Sequence, residues 1–124
     1  MRLIPDTHAV LWLLAGDARM SARARRLMDS GRHTVLLSPV VALEISIKAP
    51  LGKLDAPDDV MSLLLGAGAS ELPVTLAHAE AVKHLPLHHR DPFDRLLLAQ
   101  AIVEDAVILS ADTAFDAYPV RRRW

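Results

Sequence analysis

A chain of 124 residues is long enough to bury a core without staples and predicts one domain over residues 1–124. The absence of cysteine excludes disulfide frameworks and thiolate metal sites. With 14 basic and 15 acidic side chains the net charge is −1, so any contact with nucleic acid must come from local patches rather than from a general basic character. Hydrophobic residues make up 52%, which leaves apolar surface to spare for a partner chain or a homodimer.

The opening residues Met1 to Asp6 meet Pro5 and Asp6 too early for a signal peptide, and every apolar run is far shorter than the ~20 residues of a membrane span. A reducing cytoplasm is the expected setting. Leu3-Ile4-Pro5 reads as a first strand ending at Asp6, with Pro5 tolerable only at its last position. Thr7 is a natural cap for a helix carrying Ala9, Val10, Leu13 and Leu14, which ends at Gly16-Asp17. Ser21 caps a second helix. Thr34-Val35-Leu36-Leu37 is continuous and apolar, as in a buried parallel strand. Ser38-Pro39 supplies a hydroxyl cap and a first-turn proline for a helix through Glu44 to about Pro50.

Asp58 is expected to start a helix that dies in Gly66-Ala67-Gly68. Glu71 to Val74 reads as a weak edge strand, and Thr75 caps a helix over Ala77 to Lys83. Leu85 to Arg90 is a loop, and Asp91-Pro92 opens the strongest helix, with Phe93, Leu96, Leu97, Ala101 and Ile102 on one face. Ala106 to Leu109 is a buried strand, Ala114-Phe115 a helical turn, and Val120 the opening of a last short strand before the tail Arg121 to Trp124. Strands alternate with helices throughout, so the fold class is α/β with a mainly parallel sheet.

Asp6, Glu44, Asp94 and Asp112 each fall at a strand's carboxyl end or in the first turns of the next helix. In a parallel sheet that edge binds ligands, because loops and helix N-termini converge there. Four carboxylates gathered at one edge repel unless a cation lies among them, and a hard divalent ion, Mg²⁺ or Mn²⁺, prefers oxygen donors. A metal-dependent phosphoryl-transfer site is the leading reading. Plainer roles exist for each acid. Glu44 has Lys48 at i,i+4 for an ion pair; Asp91 and Asp94 both suit a helix start, Asp91 being the natural cap; Asp112 suits a cap for the turn at Phe115.

Other side chains carry less. His8 either touches a phosphate or packs. His88 and His89 are expected to be solvated loop residues, since adjacent side chains seldom point the same way. Lys48 and Arg95 contact substrate or pair locally. Arg23, Arg25 and Arg26 read as a solvated helix face, and Arg121 to Arg123 as a surface tail.

The motifs Asp6-Thr7-His8-Ala9, Leu43-Glu44-Ile45-Ser46-Ile47-Lys48 with Gly52-Lys53-Leu54, His88-His89-Arg90-Asp91-Pro92-Phe93-Asp94-Arg95-Leu96-Leu97-Leu98-Ala99-Gln100-Ala101, and Ser110-Ala111-Asp112 occur in that order along the chain. In this the sequence resembles PIN-domain proteins, specifically the VapC-type toxins of type II toxin–antitoxin pairs. The resemblance implies a three-layer α/β/α sandwich and a Mg²⁺- or Mn²⁺-dependent endoribonuclease cutting RNA. It implies that Asp6, Glu44, Asp94 and Asp112 form the acidic, metal-holding quartet, with Ser110 supporting it through its hydroxyl. It also implies a cognate antitoxin that lies in a hydrophobic groove, and a homodimer. Pro5, where an aliphatic residue is usual, and Leu43, where a tryptophan is frequent, depart from the pattern. The alternative is a PIN-like binding or regulatory subunit without catalysis.

Overall fold

Five short strands form from the extended runs: β1 (Arg2–Pro5), β2 (Thr34–Leu37), β3 (Ser70–Glu71), β4 (Val107–Leu109) and β5 (Arg121–Arg123). In the structure, a computed structural model describing residues 1–124, all pairings are parallel and the order is β3-β2-β1-β4-β5. Six helices connect and cover them: α1 (Thr7–Ala15), α2 (Ala22–Asp29), α3 (Pro39–Lys48), α4 (Val60–Gly66), α5 (Leu76–Ala81) and α6 (Pro92–Val103). Two 3-10 segments, Val82–His84 and Thr113–Ala117, complete the elements. The result is a three-layer α/β/α sandwich. No helix is long and apolar enough to cross a membrane.

The strand order carries a functional consequence. From β1 the chain moves outward through β2 to β3, then returns to lay β4 on the other side of β1. The progression therefore reverses between β1 and β4, and in sheets of this kind the carboxyl ends at the reversal form the ligand-binding crevice. Asp6 follows β1 directly, and Ser110 follows β4. Both strands are buried, with Leu3, Ile4, Ile108 and Leu109 fully inaccessible, so the crevice has a rigid floor.

Pro5 does not disturb that floor. It pairs in register with Leu109, and the Asp6 N–H donates to the Leu109 carbonyl at 3.1 Å. Alternation places the missing Pro5 donor on the β2 side, where the β1–β2 ladder has already stopped at Leu3 and Val35. No ladder bond is lost there.

Several local readings shift. Asp6, not Thr7, caps α1, its carboxylate accepting from the Ala9 N–H at 2.9 Å. Gly16 ends α1 at φ +64°, a left-handed conformation that glycine adopts without strain. The helix near Asp58 starts after Asp59 and has no side-chain cap. β3 lies earlier than expected, because Pro73 cannot donate and pairing ends with the Leu72 N–H on the Leu37 carbonyl. The three arginines of the expected tail form β5, in register with Val107 to Leu109.

α3, which carries Glu44, is anchored through its cap. The buried Ser38 hydroxyl accepts from the Val40 N–H and donates to the fully buried Gln100 amide oxygen on α6 at 2.5 Å. This bond ties the two helices that hold Glu44 and Asp94.

Candidate functional site

Asp6 is buried at the bottom of the crevice. One carboxylate oxygen takes the Ala9 N–H, and the other takes the Ser110 hydroxyl at 2.5 Å. Ser110 is fully buried, and its oxygen also accepts the Asp112 N–H at 3.0 Å. One hydroxyl thus links the acids that leave β1 and β4. Burial pushes the Asp6 carboxyl above its ordinary range, against the opposing effect of the Ser110 and Ala9 hydrogen bonds. Ser110→Ala is expected to leave an Asp6 oxygen and the Asp112 N–H unpaired, costing about 1–3 kcal/mol in a urea titration at pH 8.

Glu44 is buried on α3 with both oxygens engaged. The Thr7 hydroxyl donates to one at 2.5 Å and the Lys48 ammonium to the other at 2.5 Å. The i,i+4 pair expected from sequence is therefore present and faces the crevice. Lys48 also lies 3.9 Å from an Asp91 oxygen and 5.4 Å from the centre of the Phe93 ring. The Glu44 hydrogen bond is the main reason that the Lys48 ammonium holds its proton more strongly than usual.

Asp94 stands in the first turn of α6, above the Asp91 cap, whose carboxylate accepts from the Phe93 and Asp94 N–H groups at 2.8 and 3.2 Å. Its carboxyl is pushed up to about 7, first by burial and next by the Asp91 charge, with Asp6 and Glu44 adding to the effect and His89 opposing it. Asp112 is the most open of the quartet. It caps the Thr113–Ala117 segment through the Ala114 N–H at 2.9 Å. The fold thus brings all four sequence-predicted acids and Ser110 to one crevice, with Asp91 close beside them.

His89 belongs there too, contrary to the expectation of a solvated loop residue. Its Nε2 lies 3.2 Å from an Asp94 oxygen and 3.5 Å from an Asp112 oxygen, and ligand atoms of the three fall within 4.8 Å of one another. His88 points away, edge-on to Tyr118, as expected of adjacent side chains. Arg95 forms no ion pair with an acid; its side-chain partners are backbone carbonyls. Its guanidinium donates to the carbonyls of Val82, Leu85, Pro86 and His89 at 2.9–3.3 Å and so fastens the loop before α6. Arg122 pairs with Asp116 and donates to the Ser110 carbonyl at 3.0 Å. Thr7 and Arg122 lacked a sequence signal, since a capping threonine and a terminal arginine are ordinary.

The donor chemistry fits a hard divalent cation. Oxygens of Asp94 and Asp112 fall within 4.8 Å of one another, Asp6 lies near enough for its charge to act on Asp94, and Lys48 is committed to Glu44, so acidic groups gather here without a free lysine to balance them. Asp6, Asp94 and Asp112 would hold the ion, and Glu44 would stand at its margin.

A five-stranded parallel sheet of order β3-β2-β1-β4-β5, with acidic side chains gathered at its reversal point, defines the class as an α/β/α sandwich. The profile of the PIN domain matches residues 3–120, and the chain belongs to the PIN domain family. Its fold is similar to that of VapBC2 from Rickettsia felis, solved bound to a DNA fragment from its promoter, with TM-score 0.73 and 14% identity over 99% of this chain and 98% of that chain. It is also similar to DNA-bound VapBC from Salmonella typhimurium, with TM-score 0.67 and 14% identity over 99% and 97% of the two chains. VapBC-1 from nontypeable Haemophilus influenzae gives TM-score 0.62 and 12% identity over the same shares. No curated protein matches the chain.

Proposed function

We propose that this chain is a metal-dependent endoribonuclease, the VapC-type toxin of a toxin–antitoxin pair, acting in the cytoplasm as a single PIN domain. The observation that carries the reading is the convergence of Asp6, Glu44, Asp94 and Asp112 on one crevice, with Asp94 driven up to about 7 by burial and its acidic neighbours. A carboxyl left in that condition is stabilised by a cation, and a plain structural scaffold has no use for it.

Asp6, Asp94 and Asp112 would hold Mg²⁺ or Mn²⁺, whose chemistry there would be to lower the pKa of a water and to neutralise charge on the phosphate. Asp6, Asp94 and Asp112 bind and orient. Ser110 keeps the Asp6 carboxylate from rotating. Glu44, held by Thr7 and Lys48, orients the attacking water for in-line cleavage that leaves a 5′-phosphate. Lys48 meanwhile limits repulsion between Glu44 and Asp91.

The partner reading draws on the printed similarity to VapBC assemblies. An antitoxin segment fits the open groove of about 270 Å³ lined by His8, Leu11, Trp12, Ala15, Lys53 and Leu54. Leu43 and Ile47 are exposed at i and i+4 on α3, and Leu51 is exposed in the turn that follows; these apolar side chains suit a second copy of the chain. Leu63 and Leu65 are exposed while Leu64 is buried, so only part of the leucine run is free for such contacts.

A titration with Mn²⁺ tests the reading against a noncatalytic scaffold. Wild type is expected to bind Mn²⁺, and Asp6→Asn and Asp94→Asn to bind it at least about tenfold more weakly. Because Asp94 must lose its proton to bind, affinity is expected to rise roughly tenfold per pH unit below about 7 and to level off above it. Equal, pH-independent affinity in all three proteins would favour the scaffold.

A further inference from the structure

His89 is neither a solvated loop residue nor, by its hydrogen bonding, a metal ligand. Four ties fix it. Its N–H donates to the buried Tyr118 hydroxyl at 2.7 Å. Its carbonyl accepts from Arg95 at 3.2 Å. Its ring leans on the fully buried Phe115, with centroids 5.9 Å apart. The fourth tie decides its chemistry: the Asp91 N–H donates to Nδ1 at 3.2 Å.

A ring nitrogen that accepts a hydrogen bond carries no proton, so the proton of the neutral ring sits on Nε2. The nitrogen between the Asp94 and Asp112 oxygens is therefore an N–H, without a lone pair to offer a cation. Metal-binding histidines show the reverse pattern, a ligating nitrogen on one side and an N–H donated to a carbonyl or carboxylate on the other. Here the outer nitrogen meets another donor. The cluster of His89, Asp94 and Asp112 thus contains two cation ligands and one donor.

We infer that His89 is a positioning residue for the acid site: its Nε2–H, clamped in place from the loop before α6, faces Asp94 and Asp112 together and holds the two carboxylates at a separation a single cation can bridge. The inference rests on the metal-dependent reading above and adds to it a residue that contacts the ligands and not the ion. Arg95 and Tyr118 act one step further out, by fixing the backbone that carries the ring.

The test is Mn²⁺ binding followed by electron paramagnetic resonance, on wild type, His89→Ala, His89→Gln and Asp94→Asn, with melting in chelator as a folding check. His89→Ala is expected to weaken Mn²⁺ binding about tenfold or more. His89→Gln, which restores an N–H donor but no imidazole, is expected to recover most of that loss. The spin-echo spectrum of wild type should show no imidazole nitrogen coupled to Mn²⁺. A nitrogen coupling abolished in His89→Gln would overturn the inference in favour of direct ligation. So would wild-type affinity, or tighter binding, in a folded His89→Ala protein. Either result leaves Asp94-dependent binding, and with it the functional reading, intact. Wild-type binding indifferent to Asp94→Asn would instead remove both.

Discussion

In chelator at pH 8, Asp94→Asn is expected to be more stable than wild type, and in Mn²⁺ less responsive. The sign follows from the raised carboxyl. Asp94 has a pKa of about 7 in the folded chain against 3.8 as the ordinary value, so the folded state holds a proton that the unfolded state releases. Its favourable contribution is complete below pH 3.8 and is lost as pH rises through about 7. Above that point the ionised group opposes folding. Its side chain is 21% exposed, and solvent screening reduces the effect to about 2 kcal/mol, or roughly 6–10 °C in melting temperature. An uncharged amide removes this penalty. Mn²⁺ should then raise the melting temperature of wild type and leave Asp94→Asn nearly unmoved. A variant less stable than wild type in chelator at pH 8 would show that the acids are not in conflict. Differential scanning fluorimetry at pH 5 and pH 8 reads both effects.

The second large effect is structural. Phe115 is fully buried beneath the His89 ring, and its N–H closes the Asp112-capped turn on the Asp112 carbonyl at 3.2 Å. Phe115→Ala is expected to cost about 3–5 kcal/mol in urea unfolding, through lost burial and the cavity left behind. Small domains hold about 5–15 kcal/mol in all. Mn²⁺ affinity should fall with it, since Asp112 and His89 lose their common support. Phe115→Leu keeps most of the apolar volume and should retain much of both. A cost below about 1 kcal/mol for Phe115→Ala would mean that this side chain is not a packed support of the site.

Features encoded by adjacent residues were legible in the sequence. Ser38-Pro39 and Asp91-Pro92 start α3 and α6 where their cap and proline chemistry requires, and the helical spacing of Glu44 and Lys48 produces the observed pair. Asp6, Asp94 and Asp112 could be singled out because each stands at the end of a strand or the start of a helix, and Glu44, the sixth residue of α3, because it shares a helical stripe with apolar neighbours. Features that depend on remote pairing were hidden. A last short strand was expected to open at Val120, but that it consists of the three arginines was not legible; they have no apolar signature, their backbone pairs with β4, and their charges suit an exposed sheet edge. Asp6 and Thr7 can each cap a helix; the chain turns helical at Thr7, so Asp6 is the cap, and the Thr7 hydroxyl donates instead to Glu44, 37 residues away, a pairing that no local pattern announces. His89 looked like a loop residue because the groups that fix it, Tyr118 and Arg95, lie in other segments.

The most direct measurement is cleavage of end-labelled total RNA by the purified chain with Mn²⁺, with chelator, and with Asp94→Asn. The account predicts fragments bearing 5′-phosphates from wild type with Mn²⁺, and their loss by at least about 100-fold in chelator or in the variant. Cleavage by Asp94→Asn at the wild-type rate, or cleavage that persists in chelator, would contradict it.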